Sequence, residues 1–154
     1  MAGSGTSSSG NGNYSTDPDD DLGSGTASAK AETVIEWGLK QLGKKYVYGD
    51  EGPNTFDCSG FTQFCYAKVG VKLRRSAQAQ GYNDGTKITN ISDLRRGDIV
   101  CFNTIDDSDL SDHVGIYLGN NQFVHASSGA GKIVISSLSS GYYKRVFSWG
   151  RRVL

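Results

Sequence analysis

The chain has 154 residues, which is room for one domain of ordinary size. Sixteen basic and sixteen acidic residues cancel to a formal net charge of zero, so no broad electropositive field is available to hold a polyanion such as nucleic acid or an acidic membrane face. No stretch reaches the ~18 apolar residues that a membrane-crossing helix needs, and the opening Met-Ala-Gly-Ser-Gly-Thr-Ser lacks the basic and apolar regions of a secretory signal.

From Met1 to Ser28 more than half the residues are Gly, Ser or Thr, joined by the acidic run Asp17-Pro18-Asp19-Asp20-Asp21. Such a segment buries too little apolar surface to offset the entropy of ordering, and it reads as a flexible linker, residues 1–28, ahead of one domain, residues 29–154. A linker with no signal before it implies the C-terminal piece of a longer protein, tethered to another module.

Behind Ser28, which is placed to cap free amides, Ala31, Ile35, Leu39 and Leu42 recur at helical spacing until Gly43, and predict a helix over Ala29 to Leu42. A Gly, Pro and Asn-rich loop, Gly49 to Asn54, precedes a second periodic run of Phe61, Phe64, Cys65 and Val69 that ends at Gly70. The second helix therefore starts at or beside Cys58. After a helical turn at Ser76 to Gln80 the pattern becomes strand-like: Asp98 to Phe102, His113 to Leu118, Gln122 to Ala126, Lys132 to Ser136 and Lys144 to Arg152. Helices first and antiparallel strands afterwards make an α+β fold.

Three cysteines cannot all pair within the chain, so at least one thiol stays unpaired in it. Cys65 lies on the apolar stripe of the second helix and Cys101 within the apolar run Ile99-Val100-Cys101-Phe102, which assigns both to the core. Cys58 differs. Asp57 and Ser59 beside it are polar, Gly60 permits close approach of another backbone, and the loop-to-helix junction offers unsatisfied amides and the positive dipole end to a thiolate or an oxyanion.

A thiol nucleophile needs a base, and the chain holds only two histidines, His113 and His125. Strand alternation puts His113, Gly115 and Tyr117 on one face, with Phe123 and His125 opposed to Val124 and Ala126. With Gly119-Asn120-Asn121 as a three-residue hairpin loop, Leu118 faces Gln122 and Gly115 faces His125. The two imidazoles then lie diagonally on one face with Cβ atoms roughly 7 Å apart. One nitrogen of His113 is left for the thiol and the other for His125, which is either the orienting group of a nucleophile, base and orienter set or an ordinary strand histidine. Cys58 and the two histidines, with Asp112 or Cys101, could also coordinate zinc, but no close ligand pair pre-organises such a site. No metal and no cofactor is expected.

Several segments, in order, resemble the NlpC-type cell-wall peptidases: Gly43-Lys44-Lys45-Tyr46-Val47-Tyr48-Gly49, Asp57-Cys58-Ser59-Gly60-Phe61, Arg75-Ser76-Ala77-Gln78-Ala79-Gln80, Gly97-Asp98-Ile99-Val100-Cys101-Phe102, His113-Val114-Gly115-Ile116-Tyr117-Leu118-Gly119 and Phe123-Val124-His125-Ala126. The resemblance implies a papain-like core with N-terminal helices on a five- to six-stranded antiparallel sheet. It implies a Cys58, His113, His125 triad, with the Ser59 N–H and the Tyr46 hydroxyl as oxyanion stabilisers. Asp57, the Ser59 side chain and Arg75 are implied at the substrate's polar end, although Tyr46 read alone could merely pack and Arg75 could be a surface residue.

The implied activity is hydrolysis of peptidoglycan stem peptides, between D-glutamate's side-chain carboxyl and the diamino acid (diaminopimelate or Lys), by a monomer in the cell envelope or outside the cell. The alternatives are an N-acetylmuramoyl-L-alanine amidase of related fold and a non-catalytic wall-binding module. Asp50, Arg74, Ala77 and Cys101 depart from the usual pattern and bear on the shape of the substrate groove.

Overall fold

The computed structural model describes residues 18–154, with side chains from residue 27 onward. Of the linker expected over residues 1–28, residues 1–17 lie outside the described residues, while residues 18–28 are helical rather than linker. The first helix, α1, is Pro18–Lys40 and so begins before the predicted Ala29. Pro at the first helical position and acidic residues in the first turn are start signals that the Gly and Ser content outweighed in the sequence reading. The inward residues of α1 and the turn after it are Ala31, Val34, Ile35, Gly38 and Gln41, whereas Leu39 and, in the turn, Leu42 are exposed. The predicted stripe was therefore correct at its start and rotated off the core by its end.

Two further helices position the site. Helix α2, Cys58–Ala67, runs through the core and buries Phe61, Thr62, Cys65 and Tyr66. The Tyr66 hydroxyl donates to the Gly97 carbonyl, and Phe56 meets Phe61 and Phe64 edge-on. Helix α3, Ala77–Asn83, is capped by Ser76, whose hydroxyl accepts from the Ala79 amide at 3.1 Å.

Six strands follow: β1 Thr86–Ile88, β2 Ile99–Phe102, β3 His113–Gly119, β4 Gln122–Ser127, β5 Lys132–Ser137 and β6 Phe147–Arg152. They form one antiparallel sheet in the order β1-β6-β2-β3-β4-β5. The short β1 escaped the sequence reading because three residues, two of them exposed, carry no alternation to detect. The last predicted strand is shorter than expected, because Tyr142–Val146 form a helical turn, α4, after Gly141. Its Tyr-Tyr-Lys-Arg-Val sequence favours a strand, and tertiary packing of Tyr143 onto the sheet overrides that preference.

Both faces of the sheet are covered. Ile99, Cys101, Val114, Ile116, Val124 and Ala126 pack under the helices with Phe61 and Cys65, while Val100, Phe102, Tyr117 and Phe123 form a second core with Leu94, Leu138 and Tyr143. The alternation expected along the strands is thus the observed one. All three cysteines are buried as free thiols, Cys65 and Cys101 completely.

The β3–β4 hairpin departs from expectation at its tip. Asn120 and Asn121 both adopt positive φ, 52° and 60°, so the turn has two residues, and Gly119 rather than Leu118 stands opposite Gln122. A bulge between Tyr117 and Gly119 absorbs the difference. Below it, Tyr117 pairs with Phe123 and Ile116 with Val124, which keeps Gly115 beside His125.

Candidate active site

Cys58 is the first residue of α2 and 9% exposed. Asp57 caps the helix: its extended backbone (φ −94°, ψ −179°) turns the carboxylate back to accept from the Gly60 amide at 2.7 Å. A side chain at Gly60 would stand 2.3 Å from the Asp50 carbonyl, so the close backbone approach read from the sequence is real. Burial pushes the Cys58 thiol up to about 11, while the N–H groups of Val114, Ser59 and Cys58 itself pull the other way. The Val114 amide on the sulfur brings the thiol to the start of β3, next in sequence to His113.

His113 and His125 meet as the diagonal register requires. Nε2 of His113 lies 2.7 Å from Nδ1 of His125, and Nε2 of His125 lies 2.9 Å from the Ser136 hydroxyl. Nδ1 of His113 has no hydrogen-bond partner among the described residues. Gly115 makes the approach possible, because a Cβ there would come within 3.0 Å of the His125 Cβ and 2.8 Å of Phe123. His125 has no exposed surface, whereas His113 is half-buried. Phe102, Phe123 and Tyr143 surround the pair, with Tyr143 stacked on His113 and edge-on to His125. Burial in this aromatic shell drives His113 down to about 4 against a weaker upward pull from Asp112, and His125 down to about 2. Both imidazoles are therefore neutral at physiological pH.

The expected polar residues gather around the thiol. A recess of about 390 Å³ is lined by Tyr46, Asp57, Cys58, Ser59 and Arg75 together with Tyr48. Burial and the neighbouring Cys58 and Asp57 raise the Tyr46 hydroxyl to about 12, which keeps it a neutral donor. Arg75 is not a free surface cation. Its guanidinium grips both Asp57 oxygens, at 3.2 and 2.9 Å, the Ser59 hydroxyl at 2.9 Å and Glu51 at 3.2 Å. Asp57 also accepts from the Gly49 and Gly60 amides, so its acceptor capacity is nearly filled from within the protein. Gln80 underpins this arrangement by donating to the carbonyls of Ser59 and Arg74 and accepting from Thr62.

A second recess of about 330 Å³ opens on the other side of His113, between Thr104, Ser127, Ser128 and Tyr142. Asp112, weighed as a zinc ligand, directs its oxygens to the amides of Thr104 and Ile105, and Cys101 lies buried beside Ser111. Among the described residues no three His, Cys, Asp or Glu side chains come together as a ligand set. The sequence reading missed Ser136, Glu51, Gln80 and Tyr143. Gln80 stood inside a quoted segment, but the others gain their places only through register and packing.

The chain matches the family model described as NlpC/P60 family over residues 43–152. It is 39% identical over 125 residues to the probable endopeptidase NlpC homolog of Haemophilus influenzae, covering 80% of this chain and 61% of that protein. Identity is 41% over 113 residues with the murein DD-endopeptidase MepS/murein LD-carboxypeptidase of Escherichia coli, covering 73% and 57%. With the bifunctional muramidase/DL-endopeptidase CwlT of Bacillus subtilis it is 38% over 122 residues, covering 78% and 36%. Thus the chain spans less than two thirds of the length of these relatives. Among solved structures, NlpC2 from Trichomonas vaginalis superposes with a TM-score of 0.73 at 36% identity, covering 80% of this chain and 46% of that one. The peptidoglycan hydrolase RipB from Mycobacterium tuberculosis gives 0.70 at 30%, covering 84% and 67%. The helices-on-sheet arrangement is the papain-like α+β fold expected from the motifs, and this chain belongs to the NlpC/P60 family.

Proposed function

We propose that this domain is a peptidoglycan hydrolase working through a Cys58 thiol, with His113 as base and His125 as its orienting partner. The observation that carries the reading is the 2.7 Å contact from His113 Nε2 to His125 Nδ1, which leaves Nδ1 of His113 free at the start of β3, one residue from Val114, whose amide bears on the Cys58 thiol.

In this reading Nδ1 of His113 takes the Cys58 proton as Sγ attacks an amide carbonyl. Transfer between two groups that burial holds neutral creates opposite charges together, and each stabilises the other across a short, poorly solvated gap. The Ser59 amide at the helix start and the Tyr46 hydroxyl supply donors for the oxyanion. His113 then returns the proton to the departing amine, and water admitted to the site hydrolyses the thioester.

The substrate class rests on the relatives, whose printed names include a murein DD-endopeptidase/LD-carboxypeptidase, a muramidase/DL-endopeptidase and a peptidoglycan hydrolase. Those names cover DD-, DL- and LD-specific activities, and the bond proposed here, D-glutamyl to diamino acid, is of the DL kind that the Bacillus subtilis name prints. Action on that polymer places the protein in the envelope or outside the cell, where a neighbouring module would raise its effective concentration on the wall.

Purified stem-peptide fragments incubated with the protein, and read by mass spectrometry, test this directly. Release of L-Ala-D-Glu that disappears with Cys58→Ala supports the assignment. A new muramoyl end would identify an amidase instead, and binding to wall without any cleavage would identify a binding module.

A further inference from the structure

Ser136 stands at the far end of the imidazole chain, and nothing in the reaction described above uses it. It lies on β5, the edge strand, two residues beyond Val134, the residue paired with His125. Side chains two apart share a sheet face, so the hydroxyl points along the same face as both imidazoles and reaches His125 Nε2 at 2.9 Å. His125 itself is fully buried, while Ser136 is half-buried. The row Cys58, His113, His125, Ser136 thus runs from the reactive thiol to a strand in contact with solvent.

We propose that Ser136 is a positioning residue that holds His125 in the tautomer protonated on Nε2, and through it keeps Nδ1 of His113 available as the base. The inference rests on the assignment of His113 as base, and the logic is one of donors and acceptors. For Nδ1 of His113 to receive the thiol proton, its ring hydrogen must sit on Nε2 and donate to Nδ1 of His125. His125 then carries its own hydrogen on Nε2, and Ser136 Oγ is the acceptor the structure provides for it. The opposite arrangement, with His125 donating from Nδ1, moves the hydrogen of His113 to Nδ1 and removes its basic nitrogen from the thiol.

Once His113 is an imidazolium, both its nitrogens donate, and only the Nε2-protonated form of His125 can accept from it. Ser136 therefore matters more to the charged state than to the resting one. Without the acceptor, the neutral resting pair can escape an orphaned buried N–H by switching tautomer, whereas the imidazolium state forces that N–H to remain, so removal of the acceptor weighs on turnover more than on folding.

The experiment is a set of two variants, Ser136→Ala and Ser136→Thr, in the full chain with ring-nitrogen NMR of the histidines and stem-peptide kinetics on the same samples. Wild type is expected to show His125 protonated on Nε2. Ser136→Ala is expected to blur or reverse that pattern and to lower kcat by about tenfold with little change in KM, on the scale of an unsatisfied buried donor. Threonine, which keeps the hydroxyl and suits a strand, is expected to restore both. Wild type with His125 protonated on Nδ1, or Ser136→Ala with an unchanged tautomer and full kcat, overturns the proposal. If no stem peptide is cleaved by wild type yet the tautomer responds to the two variants as stated, the relay holds and the assigned reaction fails.

Discussion

The two halves of the site are built by opposite electrostatic means. Around the thiol, the recess is ionic: Arg75 links Asp57 and Glu51, Asp57 caps α2, and backbone amides converge on the sulfur. Around the imidazoles the described contacts are Phe102, Phe123, Tyr143 and the Ser136 hydroxyl, with Asp112 exerting only a weaker pull on His113. The ionic half fixes geometry through strong directional bonds on a helix terminus. The apolar half keeps two bases unprotonated, so that one of them can receive a proton. A thiol and a base held ready in neutral form need these two environments side by side.

The most severe way to break this division is to remove the proposed nucleophile. Cys58→Ala is expected to reduce stem-peptide cleavage to background while leaving the circular dichroism spectrum unchanged, because the thiol fills little volume and the Asp57 cap remains. Next is Gly115→Ala on the apolar side. The added Cβ meets Phe123 and His125, and separation of the rings is expected to cost stability by roughly 1–3 kcal/mol and to lower kcat by more than tenfold; denaturant melts and kinetics read both.

On the ionic side, Asp57→Ala removes the helix cap and leaves Arg75 with Glu51 and Ser59 alone. A loss of roughly 1–2 kcal/mol in urea unfolding is expected, the size of a lost cap, with little added from Arg75 because its side chain is 37% exposed. The contrast can be sharpened with Tyr143→Ala, which opens the imidazole pair to water. The His113 titration is then expected to move upward from about 4 toward its ordinary value, followed by NMR.

The smallest effect is on stability against pH. Folded His113 and His125 titrate below the ordinary histidine value of 6.5, so between about 6.5 and about 4 the unfolded chain binds more protons. Stability is then fully present above pH 6.5 and falls as pH drops, by at most about 1.4 kcal/mol per unit for each histidine. A slope measured by thermal melts that flattens in His125→Asn would locate it in this pair. At the alkaline end the sign reverses, because the raised Cys58 thiol makes stability fall as pH rises from 9 toward about 11.

Much of this was legible in the chain. The helix start at or beside Cys58 followed from the Gly49 to Asn54 loop and the apolar run from Phe61 to Val69, which are local features. Which faces of the strands were buried followed from alternation at period two, and with it the diagonal His113 and His125 pair. The hairpin tip was misread because both positive-φ Asn residues and a bulge replaced one three-residue loop, yet the bulge restored the register below it.

What the amino-acid order determined by itself was the set of residues that depend on local spacing: a cysteine at a helix start, two histidines on one face of a hairpin and a glycine between them. Only the tertiary structure decided the rest. Arg75 is drawn into Asp57 and Glu51 across separate loops, Tyr143 covers the imidazoles from a helical turn whose residues favour a strand, and Ser136 reaches His125 from an edge strand. The reason is that a side chain's partner across the sheet or over its face is set by register and packing, which no window of neighbouring residues contains.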